Sequence, residues 1–212
     1  MTATQIIQAF ELQVDDITEL SSTEELQILN RVYQKVCNNR PWEFLKVNAT
    51  GTMSSDATGY YITLPDYFAY FAINNEYTDN TIGVHNTASP AVIFVGTNLT
   101  PYQIVNFSDR RQYANSTGYA YLSLSESKIR FTGTPVSTTY DFDYVKFPAT
   151  LTASDTPVIP ARFQDILVYG MAVENDILQL SPKAKSYAPE NQAQYENWLE
   201  YMAAWNSRMY MN

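Results

Sequence analysis

Apolar residues recur at helical spacing near the N-terminus of the chain. Four of them fall three or four positions apart, which places them on one face of a short amphipathic helix: Ile6, Phe10, Val14 and Ile17. Ser22 and Glu25 have the spacing of a capping box and precede a second apolar stripe. The pattern predicts two consecutive helices, the second of which ends at about Asn39, just before Pro41.

Helical periodicity returns after residue 156. A broad apolar stripe begins at Phe163, and Pro160 suits the first turn of a helix at this point. Ser181 and Pro182 end that stripe, and Pro189 opens a last predicted helix. The apolar residues of the last helix again repeat every three or four positions: Tyr195, Trp198, Leu199, Met202 and Trp205.

The middle of the chain has the pattern of strands and turns. Short runs rich in aromatic and β-branched residues occur at 60–64, 91–95, 119–124, 128–131 and 140–147. Glycines and prolines such as Gly96 and Pro101 separate these runs. Within the last run, Tyr140, Phe142 and Tyr144 alternate with two aspartates, which predicts one buried and one solvated face.

The order of these elements predicts an α+β protein. Residues 1–43 and 157–212 would form one helical bundle, and residues 44–156 would form an antiparallel β region inserted into it. The short strands are compatible with either a sandwich or an open barrel. A stretch rich in Asn and Thr, residues 74–98, is expected to be a loop.

The C-terminal segment is unusually apolar for a helix end. It contains Trp205, Met209, Tyr210 and Met211, and neither Gly nor Pro terminates it. Residues of this kind are adaptable and suited to filling a groove on another protein. These four residues are therefore the predicted partner interface.

Composition and charge narrow the class of protein. Hydrophobic residues make up 45% of the 212 positions, which is far from a disordered composition, and the apolar runs are too short to span a bilayer. The first residues lack the pattern of a secretory signal, so we expect synthesis in the cytoplasm. The net charge of −9 argues against tight binding to a phosphate backbone, and the single Cys37 excludes an intrachain disulfide.

The sequence offers little catalytic chemistry. His85 is the only histidine and has no acid or nucleophile nearby in sequence, so a solvated loop histidine is the favoured interpretation. Three acidic pairs could be proposed as glycosidase carboxylates: Asp15 with Asp16, Asp141 with Asp143, and Glu174 with Asp176. A non-catalytic role is favoured, because the first two pairs lie on faces that the pattern predicts to be exposed. No phosphate loop and no metal-ligand spacing occurs. We expect no enzyme activity, no cofactor and no metal.

The aromatic inventory leaves two binding functions open. Seventeen tyrosines could line a sugar-binding groove, or they could fill an oligomer interface, although most would serve a sheet core. A carbohydrate-binding or adhesin-like module built on the β region is therefore the alternative to a structural interaction protein.

Four short sequence segments, in the order in which they occur, favour a structural interaction protein. Residues 40–45 (Arg-Pro-Trp-Glu-Phe-Leu), 64–68 (Leu-Pro-Asp-Tyr-Phe), 129–135 and 157–167 follow one another in an order that resembles head-to-tail adaptors of tailed bacteriophages, including the tail tubular protein A type of connector.

This resemblance, over roughly residues 20–205, implies a function in the virion. It implies a structural protein at the head–tail junction that assembles as a dodecameric ring. The ring would dock on the portal above and on tail, nozzle or stopper proteins below. Genomic DNA would pass through its channel without specific binding, and no membrane and no catalytic residue is implied.

Overall fold

The computed structural model describes residues 1–14, 20–72, 91–178 and 188–209. It confirms the α+β class. The chain divides into two compact units, a helical unit of Met1–Leu45 with Phe147–Asn212, and a β unit of Lys46–Lys146. Each unit is described by itself below.

Four helices make up the described part of the helical unit: α1 (Ala3–Val14), α2 (Ser22–Asn38), α3 (Asp165–Leu178) and α4 (Ala188–Met209). Helix α3 contacts the other three and buries Ile166, Leu167 and Met171 almost completely. A Cβ atom added to Gly170 would lie 2.4 Å from Val32 and 3.1 Å from Tyr195. Glycine at this position therefore allows α2 and α4 to approach α3 closely.

The cap of α2 lies one residue before the predicted one. Ser21, not Ser22, is the N-cap, and its side chain accepts a hydrogen bond from the backbone N–H of Glu24. The Glu24 carboxylate accepts in return from the backbone N–H of Ser21 at 2.9 Å. The sequence contains two overlapping Ser-x-x-Glu spacings, and the helix uses the first of them. As a result Glu25 faces the interior and is 5% exposed.

Nine strands form one sheet in the described part of the β unit: β1 (Lys46–Thr52), β2 (Ser54–Asp56), β3 (Gly59–Thr63), β4 (Phe68–Phe71), β5 (Val92–Val95), β6 (Thr100–Val105), β7 (Tyr119–Ser123), β8 (Lys128–Phe131) and β9 (Thr139–Lys146). The order is β1-β9-β5-β6-β7-β8-β3-β2, with β4 also paired to β9. Strands β1 and β2 lie at opposite ends of this order, yet only Met53 separates them in the chain. The sheet therefore curls back on itself.

The predicted antiparallel β region is wrong in one respect, because the sheet is mixed. Strands β6 and β7 run parallel, with Gln103 opposite Tyr119. The segment between them, which includes a short 3₁₀ turn at Asp109–Arg111, returns the chain to the starting end of β6. Two parallel strands need such a crossover, and a tight hairpin cannot connect them.

The interior of the β unit is aromatic and aliphatic. Its buried members are Met53, Ile62, Phe71, Ile93, Val95, Tyr102, Ala120, Ile129, Phe131, Phe142 and Tyr144. The alternation predicted for β9 is confirmed, since Phe142 and Tyr144 are buried while Asp141 and Asp143 are partly exposed. None of the described helices is both long enough and apolar enough to cross a membrane.

Candidate docking surface at the end of the last helix

Helix α4 is long but weakly buried. It has 22 residues, of which three are buried in the described chain: Asn191, Met202 and Asn206. Glu190 lies in its first turn and Arg208 in its last turn, and both charges suit the helix dipole. Tyr201 is 68% exposed on its outer side. Much of the surface of α4 is therefore open in the single chain.

Asn206 fixes the last turns of α4 to the segment that follows α2. Its side-chain oxygen accepts a hydrogen bond from the backbone N–H of Glu43 at 2.7 Å. Its amide nitrogen lies 3.5 Å from the carbonyl oxygen of Pro41, to which it donates. Asn206 is only 6% exposed, so water cannot readily replace these partners.

Trp205 packs on the segment before α3. Its ring centroid lies 5.4 Å from that of Phe163, and the Arg162 guanidinium lies 4.8 Å from the Trp205 ring centroid. This geometry is that of a cation–π contact. Trp205 is half-buried, so its own chain covers one part of the ring and leaves another part open.

Three arginines lie around this end of α4. We call Arg40, Arg162 and Arg208 the arginine cluster. Arg40 lies over Trp42 at 5.1 Å and directly precedes Pro41, the partner of Asn206, whereas Arg208 follows Trp205 on α4. Within the described residues, no carboxylate pairs with any of the three.

The other two described basic side chains of the helical unit share one carboxylate. Arg31 lies 3.6 Å from the Glu174 carboxylate, and Lys35 also pairs with it. The arginine cluster is thus a local positive surface in a chain whose net charge is −9. Beside it, Met209 is half exposed. A surface that combines guanidinium groups with exposed apolar side chains has the chemistry of a protein interface.

The structure therefore locates two of the four predicted interface residues. Trp205 and Met209 lie at this end of α4, and Tyr210 and Met211 lie outside the described residues. Sequence reasoning missed the arginine cluster, because its members come from three distant parts of the chain and no spacing unites them.

Among the described acids considered as catalytic groups, Asp141, Asp143 and Glu174 have structural contacts, whereas the buried carboxylate oxygens of Asp176 have no hydrogen-bond partner among the described residues. The Asn48 amide donates to Asp141 at 2.7 Å and to Asp143 at 2.9 Å, on the exposed side of β1 and β9. Glu174 is held by its two cations. His85 and the pair Asp15 and Asp16 lie outside the described residues, as do residues 74–90 of the predicted loop.

Other groups with binding chemistry are dispersed. Arg110 lies 3.7 Å from the Phe107 ring centroid and donates to the Phe107 carbonyl oxygen. Tyr102 is 1% exposed and belongs to the core, whereas Tyr67 is 59% exposed. In the four described segments, no group of three or more His, Cys, Asp or Glu side chains is placed to hold a metal ion.

One comparison with known proteins finds a family that matches almost the entire chain. A family model described as "SU10 adaptor protein" matches residues 1–210. The match includes both units and the end of α4. No curated protein matches the chain.

Proposed function

Since the chain belongs to the SU10 adaptor protein family, we propose that it forms a ring between the portal and the tail of a tailed phage, through which genomic DNA passes. The family confirms the resemblance to phage head-to-tail adaptors and supports a structural role in the virion. The match over residues 1–210 is the observation that carries the proposal, because it extends over both units.

The two units of the chain are assigned different structural roles. We propose that the helical unit is a bundle formed by the N- and C-terminal helices, and that the β unit of Lys46–Lys146, which lies within the predicted range 44–156, is a domain inserted into it. The open surface of α4 supports an assembly role for the bundle, because a helix with three buried residues among 22 leaves most of its surface for a neighbour.

The portal contact is assigned to the end of α4. Met209, Tyr210 and Met211 would enter an apolar groove of the portal, with Trp205 at its edge. The half-exposed Met209 and the open part of the Trp205 ring support this assignment. Tail, nozzle or stopper proteins would bind the opposite face of the ring.

Net charge supports the passage of DNA. A charge of −9 per subunit, repeated around a ring that the resemblance implies to be dodecameric, repels a phosphate backbone rather than retaining it. The function needs no cofactor, metal or membrane. The protein would be made in the host cytoplasm and then incorporated at the head–tail junction.

The family match favours this function over the carbohydrate-binding alternative. Electron microscopy of the protein mixed with its purified portal tests the proposal. We expect a ring of added density on one face of the portal, which the portal alone lacks. Glycan binding by the full chain, together with no density on the portal, would contradict it.

A further inference from the structure

Helix α4 carries exposed charges of both signs that find no ion-pair partner within the described chain. Glu196 and Glu200 are exposed and four residues apart, so they lie on one face of the helix. Arg208 is exposed near the C-terminal end, three residues after Trp205, whose ring contacts Arg162. The described residues provide no carboxylate for these arginines and no cation for these glutamates.

These opposite charges cannot neutralise each other within one molecule. From Glu200 to Arg208 the helix rises by about 12 Å, since each residue adds about 1.5 Å. A rigid helix fixes that separation, which is about three times the distance at which an ion pair forms. Glu200 and Arg208 of one helix therefore cannot pair with each other, whereas those of two separate copies can.

An apolar contact lies between the two charged surfaces. The rings of Trp198 and Tyr201 meet edge to face with centroids 6.3 Å apart, and Tyr201 is 68% exposed. We call the exposed residues Glu196, Glu200 and Tyr201 the acidic aromatic face of α4. Tyr, Trp and Arg are the residues that most often dominate protein interfaces.

We propose that the acidic aromatic face of one copy binds the arginine cluster of a second copy. Each copy then contributes a different surface, so the contact is heterologous, and repeated contacts of this kind form rings when the rotation closes. This inference rests on the proposed ring and identifies which surfaces would join its subunits.

Charge complementarity favours a second copy over DNA as the occupant. The arginines could also contact phosphates, but the exposed apolar side chains of Tyr201 and Met209 on the same helix suit a protein surface rather than a phosphate backbone. A second copy instead supplies Glu196 and Glu200 directly. The same opposite charges would accelerate the encounter and make the association sensitive to salt.

Charge reversal on each surface tests the proposal in the pure full-length protein. The variant E196K/E200K reverses the charge of the acidic aromatic face, and the variant R162E/R208E reverses the charge of the arginine cluster. Sedimentation velocity at roughly 100 μM protein and low salt should show wild-type species larger than a dimer, because a heterologous contact can repeat. Each variant alone should associate at least about tenfold more weakly.

Mixing the two variants provides the decisive comparison. In an equimolar mixture, the new lysines of E196K/E200K can pair with the new glutamates of R162E/R208E. The unchanged arginine cluster of the first variant can also pair with the unchanged acidic aromatic face of the second. Association should therefore recover in the mixture and weaken at high salt. A mixture that remains monomeric, or a wild-type protein that remains monomeric at low salt, would overturn the proposal.

A matched control separates surface contact from net charge. The control variant R111E/K146E changes the net charge by the same amount as R162E/R208E, but its substitutions lie in the β unit. This control should associate like the wild type. Circular dichroism and thermal melting establish that all variants are folded. Weakened association in this control, equal to that of R162E/R208E, would mean that net charge alone governs the effect.

Portal binding distinguishes this inference from the proposed function. The variant E196K/E200K, whose substitutions lie away from the proposed portal contact, should still bind the portal while failing to self-associate. Loss of portal binding by R162E/R208E with unchanged self-association would assign the arginines to the portal. Loss of binding to a double-stranded DNA fragment, again with unchanged self-association, would assign them to DNA. Either result would overturn the inference and leave the adaptor role intact.

Discussion

The Arg130 guanidinium holds the Asp56 carboxylate through two hydrogen bonds, Nη1 to Oδ1 at 3.2 Å and Nη2 to Oδ2 at 3.0 Å. Arg130 lies on β8 and Asp56 ends β2, and strand β3 runs between them. Glu126 binds the same guanidinium, and Lys128 donates to Asp56 at 3.1 Å. This network fastens β2 at the point where the sheet curls back.

The Arg130 contact gives Asp56 a defined effect on acid stability. Hydrogen bonds from Arg130 and then from Thr58 hold the pKa of the Asp56 carboxyl well below its usual range. An aspartate with a lowered pKa in the folded state stabilises the fold above about pH 4, and this contribution is lost as the pH falls further. We therefore expect Asp56→Asn to be less stable than the wild type at pH 7.

Urea unfolding at pH 7 and at pH 3 tests this expectation. The difference in unfolding free energy between the wild type and Asp56→Asn should narrow at pH 3, because the wild-type carboxylate then becomes protonated on unfolding. A difference that is the same at both values would show that the ion pair with Arg130 contributes no pH-dependent stability.

The register of β9 predicts unequal effects for adjacent residues. Phe142 is 1% exposed and contacts the rings of Phe71, Tyr140 and Tyr144. Phe142→Ala should lower the unfolding free energy by about 3 to 5 kcal/mol, as for other buried aromatics. Asp143→Asn, on the solvated side, should stay within about 0.5 kcal/mol of the wild type.

Chemical denaturation measures both free energies. The Asp143 variant is the control, since Asn48 can donate to an amide oxygen at position 143 as it does to the carboxylate. Equal losses in the two variants would mean that the inward and outward faces of β9 are assigned wrongly.

The sequence predicts the helices better than the sheet. Helical periodicity places all four helices, because apolar residues recur every three or four positions along each of them. Strands β1, β2, β4 and β6 were not predicted individually: β1 contains Asn48 and Gly51, and Pro101 in β6 was interpreted as a strand breaker. Pro101 is tolerated at an exposed position, opposite Phe94 of β5.

The candidate docking surface was predictable only in part. Trp205 and Met209 are conspicuous in an apolar tail, so composition alone identifies them. Arg40 and Arg162 reach the same place only through tertiary packing, which depends on the Asn206 contacts and on the stacking of Trp205. Parallel pairing of β6 and β7 is invisible to sequence for the same reason, since it depends on how the chain returns between them.

A buried carboxylate in α3 destabilises the fold at neutral pH. Burial raises the pKa of Asp176, and the neighbouring Asn191 amide offsets only part of this effect. Because the pKa of Asp176 is higher in the folded state, the free energy of unfolding decreases as the pH rises above the pKa of an aspartate in the unfolded chain, which is about 4. Asp176→Asn should therefore raise the melting temperature at pH 7.

Thermal melts at pH 7 and pH 3 check the sign. The increase in melting temperature that Asp176→Asn produces should become smaller or disappear at pH 3, because the wild-type carboxyl is then protonated. Asp176→Asn would behave oppositely to Asp56→Asn, so the two variants are controls for each other. A lower melting temperature for Asp176→Asn at pH 7 would contradict the assigned cause.

Asn206 should be the most sensitive residue at the end of α4. Asn206→Ala leaves the backbone N–H of Glu43 without its partner, and this should lower the unfolding free energy by about 1 to 3 kcal/mol. Ser207→Ala is the control, because Ser207 is exposed and donates only to the Ala203 carbonyl oxygen of its own helix. Urea denaturation of the two variants measures the difference, and similar values for both would show that the Asn206 contact does not stabilise the protein.

Two deletions separate the proposed portal contact from the stability of the helical unit. Removing residues 209–212 takes away Met209, Tyr210 and Met211 but leaves Trp205 on Phe163 and Asn206 on Glu43. This variant should melt within about 2 °C of the wild type, since it loses only one half-exposed described side chain. It should nevertheless lose binding to the purified portal.

Removing residues 204–212 should instead impair both properties. This deletion also eliminates the Asn206 hydrogen bonds and the Trp205 stacking, so the melting temperature should fall by several degrees. Thermal melting and a portal co-sedimentation assay at low temperature measure the two effects independently. Retained portal binding after the 209–212 deletion would show that the last residues are not the portal contact, even if the longer deletion abolishes binding, because the longer deletion also disturbs the fold around Asn206.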